Sequence, residues 1–308
     1  MARTRLVIDT DPGVDDAVAI LLALASPEID VVALTTVAGN VSLEKTTLNA
    51  RRLLELAGRH DVIVAAGCAQ PLEGLAGDAS EVHGRDGLGD IEWDEPNIRL
   101  SELHATELLA QLIAQDPLTI VAIGPLTNLA TLLEQHPGIE KDVERVVIMG
   151  GASFEGNVTP AAEFNIWADP EAAQRVLAAS WPITVMPLDL THQAYLNDDD
   201  LAFLRGLGSD VGRRTADILE PYAKFHDEWY GNRDLVMHDA MAVYEVLDPS
   251  AISKQGVVIS VETGGEHSRG ATWVDRRRIH ANSPVQIGVR VDNQKFVALL
   301  RERFATYA

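Results

Sequence analysis

A single cysteine, Cys68, stands in 308 residues. A lone thiol excludes an internal disulfide and a cysteine-based zinc site, and its expected role is that of a small buried residue near a strand end. Basic residues are scarce too: 25 Lys and Arg face 46 Asp and Glu, a formal net charge of −21. That sign repels a phosphate backbone and argues against nucleic acid as a partner. The short runs Arg213-Arg214 and Arg276-Arg277-Arg278 read as solvated faces or subunit contacts. No segment approaches the roughly 20 uninterrupted apolar residues of a membrane helix. The opening MARTRLVIDTD runs into acid before a secretory core can form, so no membrane partner and a soluble, cytoplasmic protein are expected. No GxxxxGK[ST] loop is present to cradle phosphates, and a nucleotide-like ligand would therefore lack its phosphate.

Apolar β-type runs alternate with helical patterns. Strands are expected at Leu6–Thr10, Val31–Val37, Val62–Ala66, Leu118–Ile123, Arg145–Met149 and Ile183–Leu188. Helices are expected between them at Val14–Ala25, Leu43–Ala57, Ser101–Gln115, Asn128–Gln135 and Pro170–Ala179. This alternation predicts an α/β fold: an open, mostly parallel, doubly wound (Rossmann-like) sheet with helices on both faces. Beyond Leu190 the pattern turns helical, at Asp198–Leu207, Asp210–Tyr230 and Asp239–Leu247. A β-rich stretch follows (Gly256–Val261, Ala271–Val274, Val285–Val291), then a last helix, Gln294–Phe304. Without repeats, linkers or a composition break, residues 1–308 read as one domain.

Four aspartates fall within eight residues, Asp9, Asp11, Asp15 and Asp16, in LVIDTDPGVDDAVAI. Pro12-Gly13 makes a turn that folds them onto one point. Clustered carboxylates resist burial unless a cation or protons neutralise them, and a hard divalent ion takes oxygen ligands of this kind. Helix capping would use one or two acids, not four. Other polar residues gather at strand ends, where such sheets bind ligands. They are Gly39-Asn40, Gly124 to Asn128, Gly150-Gly151 with Glu163-Phe164-Asn165 beyond, and Asp189 with His192.

A D-x-D at a strand end has three readings. An EF-hand loop fails, because Ile20 or Leu22 falls where the bidentate glutamate belongs. A phosphatase with a nucleophilic aspartate, Asp9, leaves Asp15-Asp16 without a role. The third reading is a metal site that binds a polyol and activates water.

DTDPGVDDA resembles the N-terminal motif of the nucleoside hydrolases, the inosine–uridine preferring nucleoside N-ribohydrolases. The resemblance continues through AGN (Ala38–Asn40), VHG (Val82–Gly84), IGPLTN (Ile123–Asn128) and MGG (Met149–Gly151). GNVTPAAEFNIWADPEAA (Gly156–Ala173) and MHDA (Met237–Ala240) extend it across almost the whole chain. It implies one Ca²⁺ per subunit, held by Asp11, Asp16, Asp239 and the backbone carbonyl of Ile123, with Asp11 also the general base. It implies ribose contacts from Asp15, Asn40, Asn157, Glu163 and Asn165, and Asp9 as an acid orienting the ligands from behind. It also implies a small-molecule ribonucleoside as substrate and a homodimer or homotetramer.

Cleavage of an N-glycosidic bond builds positive charge on the ribose, which a ring of carboxylates stabilises. The departing base needs a proton, and His238, beside Asp239, is the candidate acid. Its other reading is a histidine capping a helix start. His83 is expected to face the base too. Tyr222, His226 and Tyr230 recur at i, i+4 and i+8, one helix face, in the helical segment of about 198–247; they serve either a base pocket or a core stripe. Met149 and Phe164 line the ribose or base, or are plain core. The expected activity is Ca²⁺-dependent ribonucleoside hydrolysis, leaning to broad or pyrimidine-accepting specificity. A phosphatase and a non-catalytic nucleoside or sugar binder stand as rivals.

Overall fold

Leu6, Val7 and Ile8 are all inaccessible to solvent, yet they serve two different cores. Leu6 and Ile8 pack with one cluster and Val7 with another, as alternating side chains of a strand covered on both faces must. Val121 and Ile123 against Ile120 and Ala122 repeat the split, as do Val147 and Met149 against Val146 and Ile148. The computed structural model describes residues 3–308, apart from the side chain of Tyr230.

The strands are β1 (Thr4–Thr10), β2 (Ile29–Thr36), β3 (Ile63–Ala66), β4 (Leu118–Ala122), β5 (Val143–Met149) and β6 (Ile183–Met186). They continue with β7 (Tyr195–Leu196), β8 (Leu235–Val236), β9 (Ser253–Gly256), β10 (Val258–Val261), β11 (Thr272–Asp275) and β12 (Val285–Arg290). The main sheet has the order β3-β2-β1-β4-β5-β6-β12-β9. Every pairing in it is parallel except the edge pair β12–β9. The order reverses direction between β1 and β4, so the crevice for a ligand opens beyond their carboxyl ends.

Helices Val14–Leu24, Asp210–Tyr230, Ala240–Leu247 and Asn293–Phe304 cover one face. Helices Ala105–Ile113, Thr127–Gln135 and Pro170–Leu177 cover the other. The doubly wound expectation is met in architecture. Two details differ. The helix expected from Ser101 begins at Ala105, because the His104 side chain accepts the Thr106 N–H and caps it there. The expected strand Gly256–Val261 is two strands: β9 joins the main sheet, while β10 pairs with β11 in a separate ribbon. Cys68 lies half-buried two residues past β3, its sulfur 3.5 Å from Thr131 Oγ1.

Candidate active site

The loop after β1 binds its own carboxylates tightly. Asp16 reaches back from the first turn of helix Val14–Leu24 to the Gly13 N–H (2.8 Å) and accepts the Thr10 hydroxyl at 2.5 Å. Capping thus accounts for one of the four aspartates. Asn40, in the loop after β2, donates its backbone N–H to Asp11 Oδ2 (2.7 Å). Its side-chain amide donates to the Asp11 carbonyl (3.1 Å) and to Asp16 Oδ2 (3.2 Å). Asp11 Oδ1 is buried with no partner. Two glycines make room for this carboxylate. A Cβ at Gly39 would lie 2.0 Å from Asp11 Oδ2, and one at Gly124 2.5 Å from Oδ1.

Carboxylate oxygens of Asp15, Asp16 and Asp239 lie within 4.8 Å of one another, all three residues buried. Of the expected ligands, Asp16 and Asp239 meet here, Asp239 brought in from the start of helix Ala240–Leu247. Asp15, assigned to ribose by resemblance, shares the group. Asp11 stands outside it but feels Asp16 and Asp15 electrostatically. Burial, then the neighbouring carboxylates, push Asp15 up to about 8 and Asp11 and Asp239 far above the usual carboxylate range. Asp16 is also raised, by burial against its hydrogen bonds from Thr10 and Gly13. Four buried acids and one orphaned oxygen form a donor set of oxygens only, which fits a hard divalent cation. The Ile123 carbonyl accepts Asn165 Nδ2 at 3.0 Å, and a carbonyl keeps a second lone pair for a ligand.

Asp9 sits behind this layer. Its Oδ1 accepts Thr35 Oγ1 (2.5 Å) and Asn128 Nδ2 (2.8 Å), its Oδ2 is buried and unpartnered, and burial raises it to about 7. Fully enclosed, it cannot meet a phosphomonoester as a nucleophile would.

Above the acids lies a cavity of about 570 Å³. Its lining includes Asp15, Asn40, Asn157, Glu163 and Asn165, together with Ile123, Met149 and Phe164. Glu163 caps the short helix Phe164–Ala168, taking the N–H groups of Gly151, Asn165 and Ile166 at 2.8, 2.8 and 3.1 Å. Asn157 Oδ1 accepts the Phe164 N–H at 2.9 Å. These bonds fix the carboxylate and amides before any ligand arrives.

Imidazole and phenol complete the lining: His83, His192, Tyr222, His226 and His238. His83 ends a one-turn helix, Ser80–His83, that the sequence reading did not foresee. Its Nδ1 accepts the Val14 N–H (3.1 Å) and burial pushes it down to about 4, so its 4.0 Å approach to Asp15 is no ion pair at neutral pH. His238 Nδ1 shares a 2.8 Å hydrogen bond with Thr191 Oγ1, and its ring stands edge-on to His192 at 5.6 Å. A local capping role for His238 is thereby replaced by a contact 47 residues away in sequence. Burial, then His192 and His226, hold His238 well below the usual imidazole range. Tyr222 and His226 are both buried and cavity-lining, with rings edge-on at 4.5 Å. The two readings of that stripe are one surface. The side chain of Tyr230, the third member, lies outside the described residues.

Trp167, Tyr195 and Phe225 also line the cavity without having been expected there, and His192, noted at a strand end but given no role, joins them. Phe225 carried a signal, lying one helical turn from Tyr222. Trp167 and Tyr195 carried none, since aromatic residues at such places equally serve a core.

A family model described as inosine-uridine preferring nucleoside hydrolase matches residues 6–298. The chain is 42% identical over 307 residues to a pyrimidine-specific ribonucleoside hydrolase RihA of Photobacterium profundum, covering 98% of this chain and 99% of that one. RihA of Escherichia coli O8 (strain IAI1) is 41% identical, with 98% and 99% covered. Among solved structures, a plant nucleoside hydrolase, PpNRh1, superposes with a TM-score of 0.91 at 37% identity over 98% of this chain and 99% of that chain. A purine-preferring ribonucleoside hydrolase from Gardnerella vaginalis gives 0.94 at 29% identity over 99% of both. The chain belongs to the inosine-uridine preferring nucleoside hydrolase family, and it is a ribonucleoside hydrolase.

Proposed function

We propose that the enzyme hydrolyses pyrimidine ribonucleosides to ribose and free base, and that it uses one Ca²⁺ per subunit. The observation carrying this reading is a buried, oxygen-only acid cluster in a cavity that is also lined by neutral imidazole and phenol. Relatives named pyrimidine-specific share 41–42% of their residues with it, against 29% for the purine-preferring neighbour, which supports the choice of base.

Asp11, Asp16, Asp239 and the Ile123 carbonyl would hold the cation, with Asp15 close enough in the acid group to share in its neutralisation. When bound, such an ion supplies Lewis acidity that lowers the pKa of a coordinated water. Asp11 accepts the proton that the attacking water loses. Asp15 and Asn40 face the 2′- and 3′-hydroxyls, and Asn157, Glu163 and Asn165 grip the 3′ and 5′ side. Charge that develops on the ribose meets carboxylates already held in place, which costs no reorganisation. His238 donates a hydrogen bond or proton to the leaving base, steadied by Thr191.

Release of base from uridine, inosine and 2′-deoxyuridine tests the reading. Uridine should lead, and deoxyuridine should fall roughly 10⁴-fold, because a missing hydroxyl leaves buried polar groups unpaired. Comparable kcat/KM for uridine and deoxyuridine would sink it. We also take the active form to be a cytoplasmic homodimer or homotetramer, which light scattering of the purified protein addresses.

A further inference from the structure

The ribbon of β10 and β11 turns an apolar face toward the main sheet. Ile259, Val261 and Val274 on that face pack with the core cluster that includes Val146 and Ile148. Thr272, paired with Val261, is the polar member of the face, and it is buried. A valine has the same shape, so the hydroxyl must be accounted for by what it bonds. Oγ1 accepts the Ala152 N–H at 2.9 Å and donates to the Ala152 carbonyl at 2.7 Å. One hydroxyl thus grips a single residue of the loop after β5 on both sides.

Ala152 follows Gly151, a left-handed residue with φ +79°. The Gly151 N–H donates to Glu163 Oε2 at 2.8 Å. The other two N–H groups on that carboxylate, from Asn165 and Ile166, belong to the helix that Glu163 itself caps. Among the described residues, Gly151 is therefore the donor that ties Glu163 to the end of β5. A Cβ at Gly151 would lie 3.0 Å from Thr272 Oγ1, so the two are in close contact. The ribbon meets the glutamate's own segment as well: Ala271 bridges Ala162, the residue before Glu163. Two consecutive residues, Ala271 and Thr272, hold the two segments that converge on this carboxylate.

We infer that Thr272 is a positioning residue for the 5′-hydroxyl of the substrate ribose, acting through Gly151 on Glu163. This rests on the reading that Glu163 grips that hydroxyl. Thr272 is not among the residues lining the cavity, so its influence passes through the backbone. Without its hydroxyl, the Ala152 N–H and carbonyl are left buried and unpaired, and the turn rotates to satisfy them. The Gly151 N–H turns with it, and Glu163 keeps only the two bonds of its own helix. A misplacement of about 1 Å at a group that orients substrate can cost on the order of 10²-fold in rate.

The test compares uridine with 5′-deoxyuridine in the intact enzyme and in Thr272→Val, Thr272→Ser and Glu163→Ala. Thr272→Val should lower kcat/KM for uridine about 10-fold, while 5′-deoxyuridine, with no hydroxyl to place, changes less than about 2-fold. Thr272→Ser keeps the bonding group and should restore most of the rate on uridine. Adding Thr272→Val to Glu163→Ala should cost little beyond Glu163→Ala alone, because both act through one carboxylate. A purely structural role would lower the melting temperature and depress both substrates alike. Should Thr272→Val not fold, Gly151→Ala repeats the comparison, since its Cβ would press on Thr272 Oγ1 from the loop side. Equal losses on the two substrates, or full additivity with Glu163→Ala, overturn the inference while the hydrolase reading stands. If Glu163→Ala itself fails to discriminate between the substrates, the assignment of Glu163 to the 5′-hydroxyl falls, and the inference with it.

Discussion

Asp11 has one carboxylate oxygen on the Asn40 amide and the other, buried, on nothing. That asymmetry is what a ligand and base requires: one oxygen to fix the side chain, one to act. Asp11→Ala should cost on the order of 10²-fold or more in kcat while KM for uridine changes less. Steady-state kinetics at saturating Ca²⁺ would detect a near-normal rate, and that outcome defeats the proposed base. At His238 the expected signature is chemical. His238→Ala should slow uridine by about 10²–10⁴-fold but p-nitrophenyl riboside far less, because a phenolate leaves unaided. Equal losses on both would make His238 a support for Asp239 alone. Its depressed basicity fits a neutral imidazole that donates a hydrogen bond, and Thr191, on Nδ1, leaves Nε2 for that task.

At the level of elements, the site is a meeting of loops from strands that the sheet sets side by side. β1 delivers Asp9 and Asp11, β2 delivers Asn40, and β4 delivers Ile123 and Gly124. The parallel register brings Asp9 opposite Thr35 on one side and Ala122 on the other. The closeness of these loops makes Gly124 a test of the assembly. In Gly124→Ala the new Cβ would stand 2.5 Å from Asp11 Oδ1, and the loop lies between packed strands. Overpacking of this kind costs about 1–3 kcal/mol, and here displacement of Asp11 is the cheapest relief. The variant should fold, lose at least tenfold in kcat, and bind Ca²⁺ more weakly by calorimetry. Unchanged kcat would show that the loop yields instead.

Over the whole molecule, the buried acids should make stability depend on pH and on the proposed cation. Asp9 and Asp15 carry pKa values of about 7 and 8 in the cation-free fold, above the unfolded value near 3.8. A raised pKa gives stability that is present at low pH and lost as pH rises through the folded value. His83 and His226, lowered to about 4, work oppositely, losing their contribution as pH falls below about 6.5. Between pH 6.5 and 8.5 only the carboxylates change, so the melting temperature of chelator-treated protein should fall across that window. Saturating Ca²⁺ should restore it, by about 2.7 kcal/mol at 100-fold over Kd, and the gain should be larger at pH 8 than at pH 6, where protons compete. A Ca²⁺ gain independent of pH in differential scanning calorimetry would contradict the acid cluster as the binding site.

Much of this was legible along the chain because its signals are local. Apolar runs such as Leu118–Ala122 and the alternating helices specify strands buried on both faces by periodicity alone, and Asp-Thr-Asp-Pro-Gly with the Asp15-Asp16 pair places four acids around one turn. Charge balance and the lone cysteine set chemical class without any geometry. What the chain could not decide depends on distances between remote segments. Asp239 reaches Asp15 and Asp16 across more than two hundred residues, and Thr191 grips His238. Only packing reveals that Asp15 belongs to the acid group as well as to the cavity wall, and that Trp167 and Tyr195 line the cavity rather than a core. Burial turns ordinary carboxylates into groups that require a cation or protons, and burial is a property of the assembled sheet and helices, not of any one stretch of sequence.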